Sequence, residues 1–287
     1  MDILFNHTCR EFHMHHIRDN HPGVSPFTMQ IHDCHELLYF ISGRGTYYIE
    51  GNAYTPHPGG VLLMRAGEAH SLRLDPQIPY ERIVVEFDPV LLQTIDPEGV
   101  LTEAYMNRPG GNQNLYEPGQ IDARMVHSCL TAVSKQNRPL TDAEKNLMFY
   151  NCVPPVLFEI RKAFVSRSPE PFKKEKDTPV VNRLIEYINI HLCEELTLDA
   201  IASHFFMNKM HLNKLFKSVT GSTIWEYIVM KRLIMARQFI KDGMTATAAA
   251  AASGWKDYSA FYRSYRSHFH TSPTSDRFSY TPIFHRL

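Results

Sequence analysis

The chain has 287 residues, 44% hydrophobic and 21% charged, with 30 Lys+Arg set against 30 Asp+Glu, the composition of a soluble globular protein of about two domains. No apolar run approaches the roughly 18 residues of a membrane span, and the first residues lack a signal-peptide pattern. Five scattered cysteines without a CxxC pair exclude a disulfide framework and a zinc finger, so a reducing cytoplasm is the expected setting.

The first 20 residues carry His13, His15 and His16 and read either as an arm folding over a pocket or as a frayed terminus. From 27 to 88, short apolar or alternating runs are separated by Gly and Pro. "ELLYFI", "GTYYIEG", "GGVLLMRAG" and "YERIVVEFD" follow one another at the spacing of an all-β barrel or sandwich. From about Pro89 to Val165 the texture becomes helical. In "IDARMVHSCLTAVSK", Ile121, Met125, Val126, Cys129 and Val133 share one helical face, and this stripe is expected to pair two chains, with packing on the barrel of its own chain as the alternative. The next helix opens on a Thr141/Glu144 capping box, and Pro154-Pro155 should kink or break it. "SRSPEPFKKEKDTP" has no apolar period. It reads as an exposed linker, 166–177, between a domain at 1–165 and another at 178–287.

Beyond the linker the charge changes sign. Residues 177–287 hold 13 Lys+Arg against 9 Asp+Glu, whereas residues 1–176 hold 17 against 21. A basic half meets the electrostatic requirement for approaching phosphates. Everything here is helical. Val181, Leu184, Ile185, Ile188 and Leu192 form one stripe, Thr197 opens a short helix, and Asn208 opens another that Gly221 closes. A long helix stops at Gly243, and an alanine tract follows. The last helix repeats an earlier one at an offset of 49: Leu212/Phe261, Lys214/Arg263, Phe216/Tyr265 and Lys217/Arg266. Each copy is two short helices joined by a tight turn, the helix-turn-helix unit. Leu212, Leu215, Phe216 and Val219 fall on one face of the first copy, as do Phe261, Tyr265 and Phe269 in the second. Outside remain Met210, Asn213, Lys214 and Lys217, then Ser259, Tyr262, Arg263 and Arg266. A helix bearing such residues fits a major groove, where Asn reads adenine, Arg or Lys reads guanine, and further Lys and Arg hold phosphate. Two such helices joined by a stiff one can reach adjacent grooves of double-stranded DNA.

The stretch "LTLDAIASHFFMNKMHLNKLFKSVTGSTIWEYIVMKRLIMARQFI", with "GWKDYSAFYRSYRSHFHTSPTSDR", resembles the DNA-binding domain of the AraC/XylS family of transcriptional regulators, over about 178–277. "HELLYFISGRGTYYIEG", "GGVLLMRAGEAHSL" and "YERIVVEFDP" resemble the family's cupin-type effector domain. Three departures stand out: His270 in place of a usual Gly, Trp255 in place of Phe, and the tract Ala248 to Ala252 in place of Ile-Ala. The resemblance implies an α+β chain, with an N-terminal cupin-like β-barrel and helical extension before an all-α domain of two helix-turn-helix units. It implies a homodimer that binds an operator and a small effector, a sugar being one candidate, and it admits RNA polymerase as a further partner. His32, His35, Glu36, Tyr39, Tyr47 and His70 are the candidate effector-lining residues. Cupin metal sites use H-x-H, whereas here His32 and His35 are three apart and Arg65 stands where Pro is usual. The pocket is therefore expected to be polar and without a metal or other cofactor. No paired carboxylates, nucleophile–base arrangement or phosphate loop points to catalysis. A metal-dependent cupin enzyme, or an effector-binding module with a helical interaction tail, would each leave the paired helix-turn-helix units unexplained.

Overall fold

A computed structural model describes residues 1–22, 29–167 and 180–279. Strands β1 (Asp2–Thr8), β2 (Phe12–Asp19), β3 (His35–Ser42), β4 (Gly45–Ile49), β5 (Asn52–Tyr54), β6 (Val61–Met64), β7 (His70–Leu74), β8 (Tyr80–Phe87) and β9 (Leu115–Tyr116) build two antiparallel sheets. The larger has the order β1-β2-β8-β3-β6-β9, the smaller β5-β4-β7. Period-two alternation sets the layers. Leu37, Leu63, Val85 and Phe87 face one way, onto α1 (Glu103–Met106), α2 (Ala123–Thr131) and α3 (Asp142–Ser166). Leu38, Phe40, Leu62 and Met64 face the other way, onto Tyr47 and Ile49 of the small sheet. The cupin-like arrangement is thus an open pair of sheets; the closed barrel expected from the strand spacing does not form among the described residues.

Three expectations for this half are corrected. The first 20 residues are neither arm nor frayed end, because β1 and β2 extend the large sheet and β2 is buried from Phe12 to Ile17. The α2 stripe packs on its own chain: Val126, Leu130 and Val133 lie in the core under the large sheet, with Met125 and Cys129 against it. Of the kink or break expected at Pro154-Pro155, the break does not occur, since helix α3 runs continuously through both. The two prolines free the carbonyls of Tyr150 and Asn151, which lie on an exposed stretch that water can reach, while buried Val153, Val156 and Leu157 anchor the opposite face.

A buried ion pair organises the loop between β6 and β7. Arg108 donates Nη1 to Glu68 Oε1 at 2.7 Å and Nη2 to Oε2 at 2.8 Å. Burial pushes the Glu68 carboxyl up, but Arg108 and the amides of Gly111 and Arg65 hold it below its ordinary value. Glu68 thereby stays charged and fixes the turn that carries His70.

The linker at 166–177 lies outside the described residues apart from Ser166 and Arg167. Helices α4 (Val180–Ile190), α5 (Leu198–His204), α6 (Lys209–Thr220), α7 (Ile224–Lys241), α8 (Ala246–Ala252), α9 (Tyr258–Phe269) and α10 (Pro273–Ser279) follow. The offset of 49 holds for both ends of α6 and α9. Asn208 and Asp257 cap the two starts, and Gly221 and His270 close the ends in left-handed conformation. His270 at φ 57° takes the place that glycine fills without strain.

Candidate functional site

Helices α6 and α9 bury Leu212 and Phe216, and Phe261, Tyr265 and Phe269, in one core. Their outer faces match position by position. Met210 and Ser259 are exposed, as are Lys214 and Arg263, and Lys217 and Arg266, while Asn213 and Tyr262 are half-buried. Asn213 also serves the fold locally, since its Oδ1 accepts from the Ile224 amide at 3.0 Å and caps the start of α7. Helix α7 joins the two units and, with 18 residues, spans about 27 Å at 1.5 Å per residue. That length is of the order of one DNA turn.

In the N-terminal half the structure divides the six candidate lining residues. His32, Glu36 and His70 converge on the inner face of the large sheet, with donor atoms all within 4.8 Å of one another. Tyr47 lies on the same side, its hydroxyl bonded to that of Tyr80, and burial followed by Tyr80 pushes its phenol well up. His35 and Tyr39 face the helices instead. His35 stacks on Tyr105 with ring centroids 4.4 Å apart, its Nδ1 accepts from the Ala66 amide, and burial lowers it to about 3, so it is neutral. Tyr39 bonds His127 of α2 at 3.0 Å, and burial pushes it up to about 12. The reason is parity: Glu36 alternates with its neighbours His35 and Leu37 along β3. Residues not anticipated join the inner face. Glu86 pairs across the strands with both Glu36 and His13, and His13 Nδ1 lies 3.0 Å from Glu86 Oε2. A charged residue inside the apolar run "RIVVEFD" is the signal for Glu86.

Two family descriptions match this chain: "AraC-like ligand binding domain" at residues 13–151 and "Helix-turn-helix domain" at 201–277. The chain is an AraC/XylS family regulator. It is 21% identical to the Msm operon regulatory protein of Streptococcus mutans over 255 residues, covering 88% of this chain and 86% of that protein. It is 24% identical to the HTH-type transcriptional activator RhaS of Shigella sonnei over 254 residues, covering 86% of each. ToxT from Vibrio cholerae aligns over 94% of this chain and 98% of its own, at 14% identity and a TM-score of 0.35.

The regulator's two halves meet on α7. Glu50 and Gly51 form the two-residue turn between β4 and β5, both with positive φ, 47° and 83°. Asn-Gly is the usual choice for such a turn; a glutamate there bears backbone strain, and its carboxylate meets the C-terminal helices. Lys231 donates to Glu50 Oε1 at 2.8 Å, and Tyr227 and Asn189 donate to Oε2 at 2.6 and 2.7 Å. A Cβ on Gly51 would lie 2.9 Å from Asn182 Oδ1 and 3.0 Å from Ile185 Cδ1, so α4 needs glycine there. Further along α7, Arg237 donates to Asp33 at 2.6 Å and to Asp276 at 2.8 Å, all three buried, and Lys241 bonds Asp88. Asp33 follows His32, and the Ala69 amide bonded to Glu50 precedes His70. Both loops that supply the inner-face histidines therefore also hold the DNA-binding half. Beside this junction lies a cavity of about 620 Å³, walled by Asn112, Ile185, Met235, Gln238 and Phe239 among others.

Proposed function

We propose that this regulator contacts its operator through Met210, Asn213, Lys214 and Lys217 on α6, and Ser259, Tyr262, Arg263 and Arg266 on α9. The N-terminal domain then holds a small effector around His32, Glu36 and His70, beside Tyr47. The observation that carries the reading is the register of the two helices, which expose matched basic positions from matched cores. Residues 1–165 act as the sensing domain, 166–177 as the linker and 178–287 as the DNA-binding domain. The protein works in the cytoplasm without catalysing a reaction and passes its signal to RNA polymerase at the promoter. Consistent with that setting, no described helix is long and apolar enough to cross a membrane. The junction cavity, which none of His32, Glu36, His70 and Tyr47 lines, is a second and separate place where an organic ligand such as a sugar would find room. Gel shifts of the full chain against genomic fragments test the reading, and no salt-sensitive DNA affinity would remove it. Lys217→Ala, as a lost phosphate contact, should weaken all sequences about equally and flatten the salt slope by about one unit. A loss confined to some sequences would make Lys217 a base reader instead.

The homodimer is assigned to α3, whose outer face is left exposed among the described residues. Leu147, Phe158 and Val165 are 61%, 49% and 54% exposed, and spacings of 11 and 7 residues place them on one side of a helix. Phe158→Glu should turn a sedimenting dimer into a folded monomer. A wild-type chain that stays monomeric at high concentration counts against this assignment.

A further inference from the structure

We infer that the inner-face centre of the N-terminal domain is a binding site for a divalent first-row transition metal ion, with His32, His70 and Glu36 as ligands and Glu86 beside them. The inference rests on reading this centre as the effector site and names the class of its ligand. It departs from the metal-free pocket expected from the His spacing, because two of the three His-cluster positions are brought together with two carboxylates by the fold, not by a local motif.

Charge points to a cation. Glu36 and Glu86 are directly opposed across β3 and β8, 6% and 0% exposed. Like charges in such a pair repel, and burial out of water makes each carboxylate costly unless a cation meets it. Among the described residues, the groups facing them include imidazoles. His32 Nε2 lies 3.7 Å from Glu36 Oε2 and 3.8 Å from Glu86 Oε1, and His70 Nε2 lies 3.2 Å from Glu36 Oε2. His70 Nε2 is buried, and this contact with Glu36 is its one ion pair among the described residues. These separations are close to ligand–ligand edges, which a bound ion would draw in slightly. Atoms about 2.0–2.2 Å from a tetrahedral zinc stand roughly 3.3–3.6 Å from each other.

The surrounding contacts are those that aim a ligand. His70 Nδ1 lies 3.1 Å from the Glu68 carbonyl, which keeps the proton on Nδ1 and turns the Nε2 lone pair inward. Glu68 is itself fixed by Arg108. Glu86 Oε2 takes His13 Nδ1 at 3.0 Å, leaving Oε1 on the His32 side. Two imidazoles with one or two carboxylates suit zinc and its neighbours in the first row.

The test is equilibrium dialysis of the EDTA-treated full chain against micromolar zinc chloride, followed by metal analysis. About one equivalent per chain is expected, lost in His70→Ala and in Glu36→Gln and kept in His57→Ala, an exposed histidine. Wild type taking up no more zinc than His70→Ala overturns the site. Cobalt(II) added to wild type gives a second measurement that needs no variant to fold. Strong visible d–d bands without thiolate charge transfer support four N/O ligands, and a weak six-coordinate spectrum overturns them. Gel shifts on the same samples separate this claim from the effector reading. Zinc uptake with unchanged operator affinity upholds the metal site and removes only its sensing role.

Discussion

Glu50→Asn should uncouple the two halves of the regulator while leaving the hairpin intact. Asparagine suits the positive φ at this turn, so the backbone is relieved. The shorter side chain no longer reaches Lys231, Tyr227 and Asn189, which meet in the buried junction. Lys231 keeps the Gly67 carbonyl at 2.7 Å but loses its carboxylate partner. Removing one partner of a buried charged pair costs about 3–5 kcal/mol, against which an eased turn returns about 1 kcal/mol. Both tryptophans, Trp225 and Trp255, lie in the C-terminal half, so their fluorescence follows that half alone. In urea, the tryptophan transition should move below the transition seen by far-ultraviolet circular dichroism, which also reports the sheets. Coincident transitions at the wild-type midpoint would show that Glu50 does not clasp the domains.

What the sequence made legible and what it hid divide along a physical line. The reading helices were legible because every signal for them is local. Caps at Asn208 and Asp257, closing residues at Gly221 and His270, and apolar positions three and four apart all lie within one short stretch. The division of the six candidate lining residues was hidden by parity, since a single-residue step along β3 separates Glu36 from His35. The closed barrel failed for a similar reason. Strand spacing gives the number of strands, whereas closure depends on pairing between residues far apart in the chain. The junction was hidden most deeply. Asp33, Glu50, Lys231 and Arg237 are each unremarkable surface residues by type, and only long-range packing buries them. Two faint signals were present: Glu before Gly in a hairpin turn, and Arg237 within the apolar run of α7. The free stripe on α3 was masked by its prolines, which suggested a break where the helix continues.

Arg237→Leu should cost the regulator its second reading unit. The Arg237 side chain is 3% exposed and fills three roles at once. Its Nε holds Asp276 Oδ2 at 2.8 Å, its Nη1 holds Asp33 Oδ2 at 2.6 Å, and its guanidinium lies 4.4 Å over the Phe269 ring. Asp276 in turn accepts from the Tyr265 hydroxyl at 2.6 Å, so α9 and α10 are tied to α7 through this one group. Leucine matches neither the charge nor the fork, and it takes the guanidinium away from two buried aspartates. A penalty of about 3–5 kcal/mol follows from breaking such a pair, enough to unfold a small unit whose α8 is built largely of alanine. Arg237→Lys should rescue only part of the loss, because a single ammonium cannot bridge both carboxylates in the same plane. Asp33→Asn provides the contrast. It removes the charge from the junction contact but leaves the bond to Asp276, so the second unit should stay folded. Footprinting on a shared operator reads the difference directly. Asp33→Asn should protect both groove segments, and Arg237→Leu only the segment contacted by α6. Full protection by Arg237→Leu, at wild-type affinity, would show that α9 is held in place by its aromatic core alone.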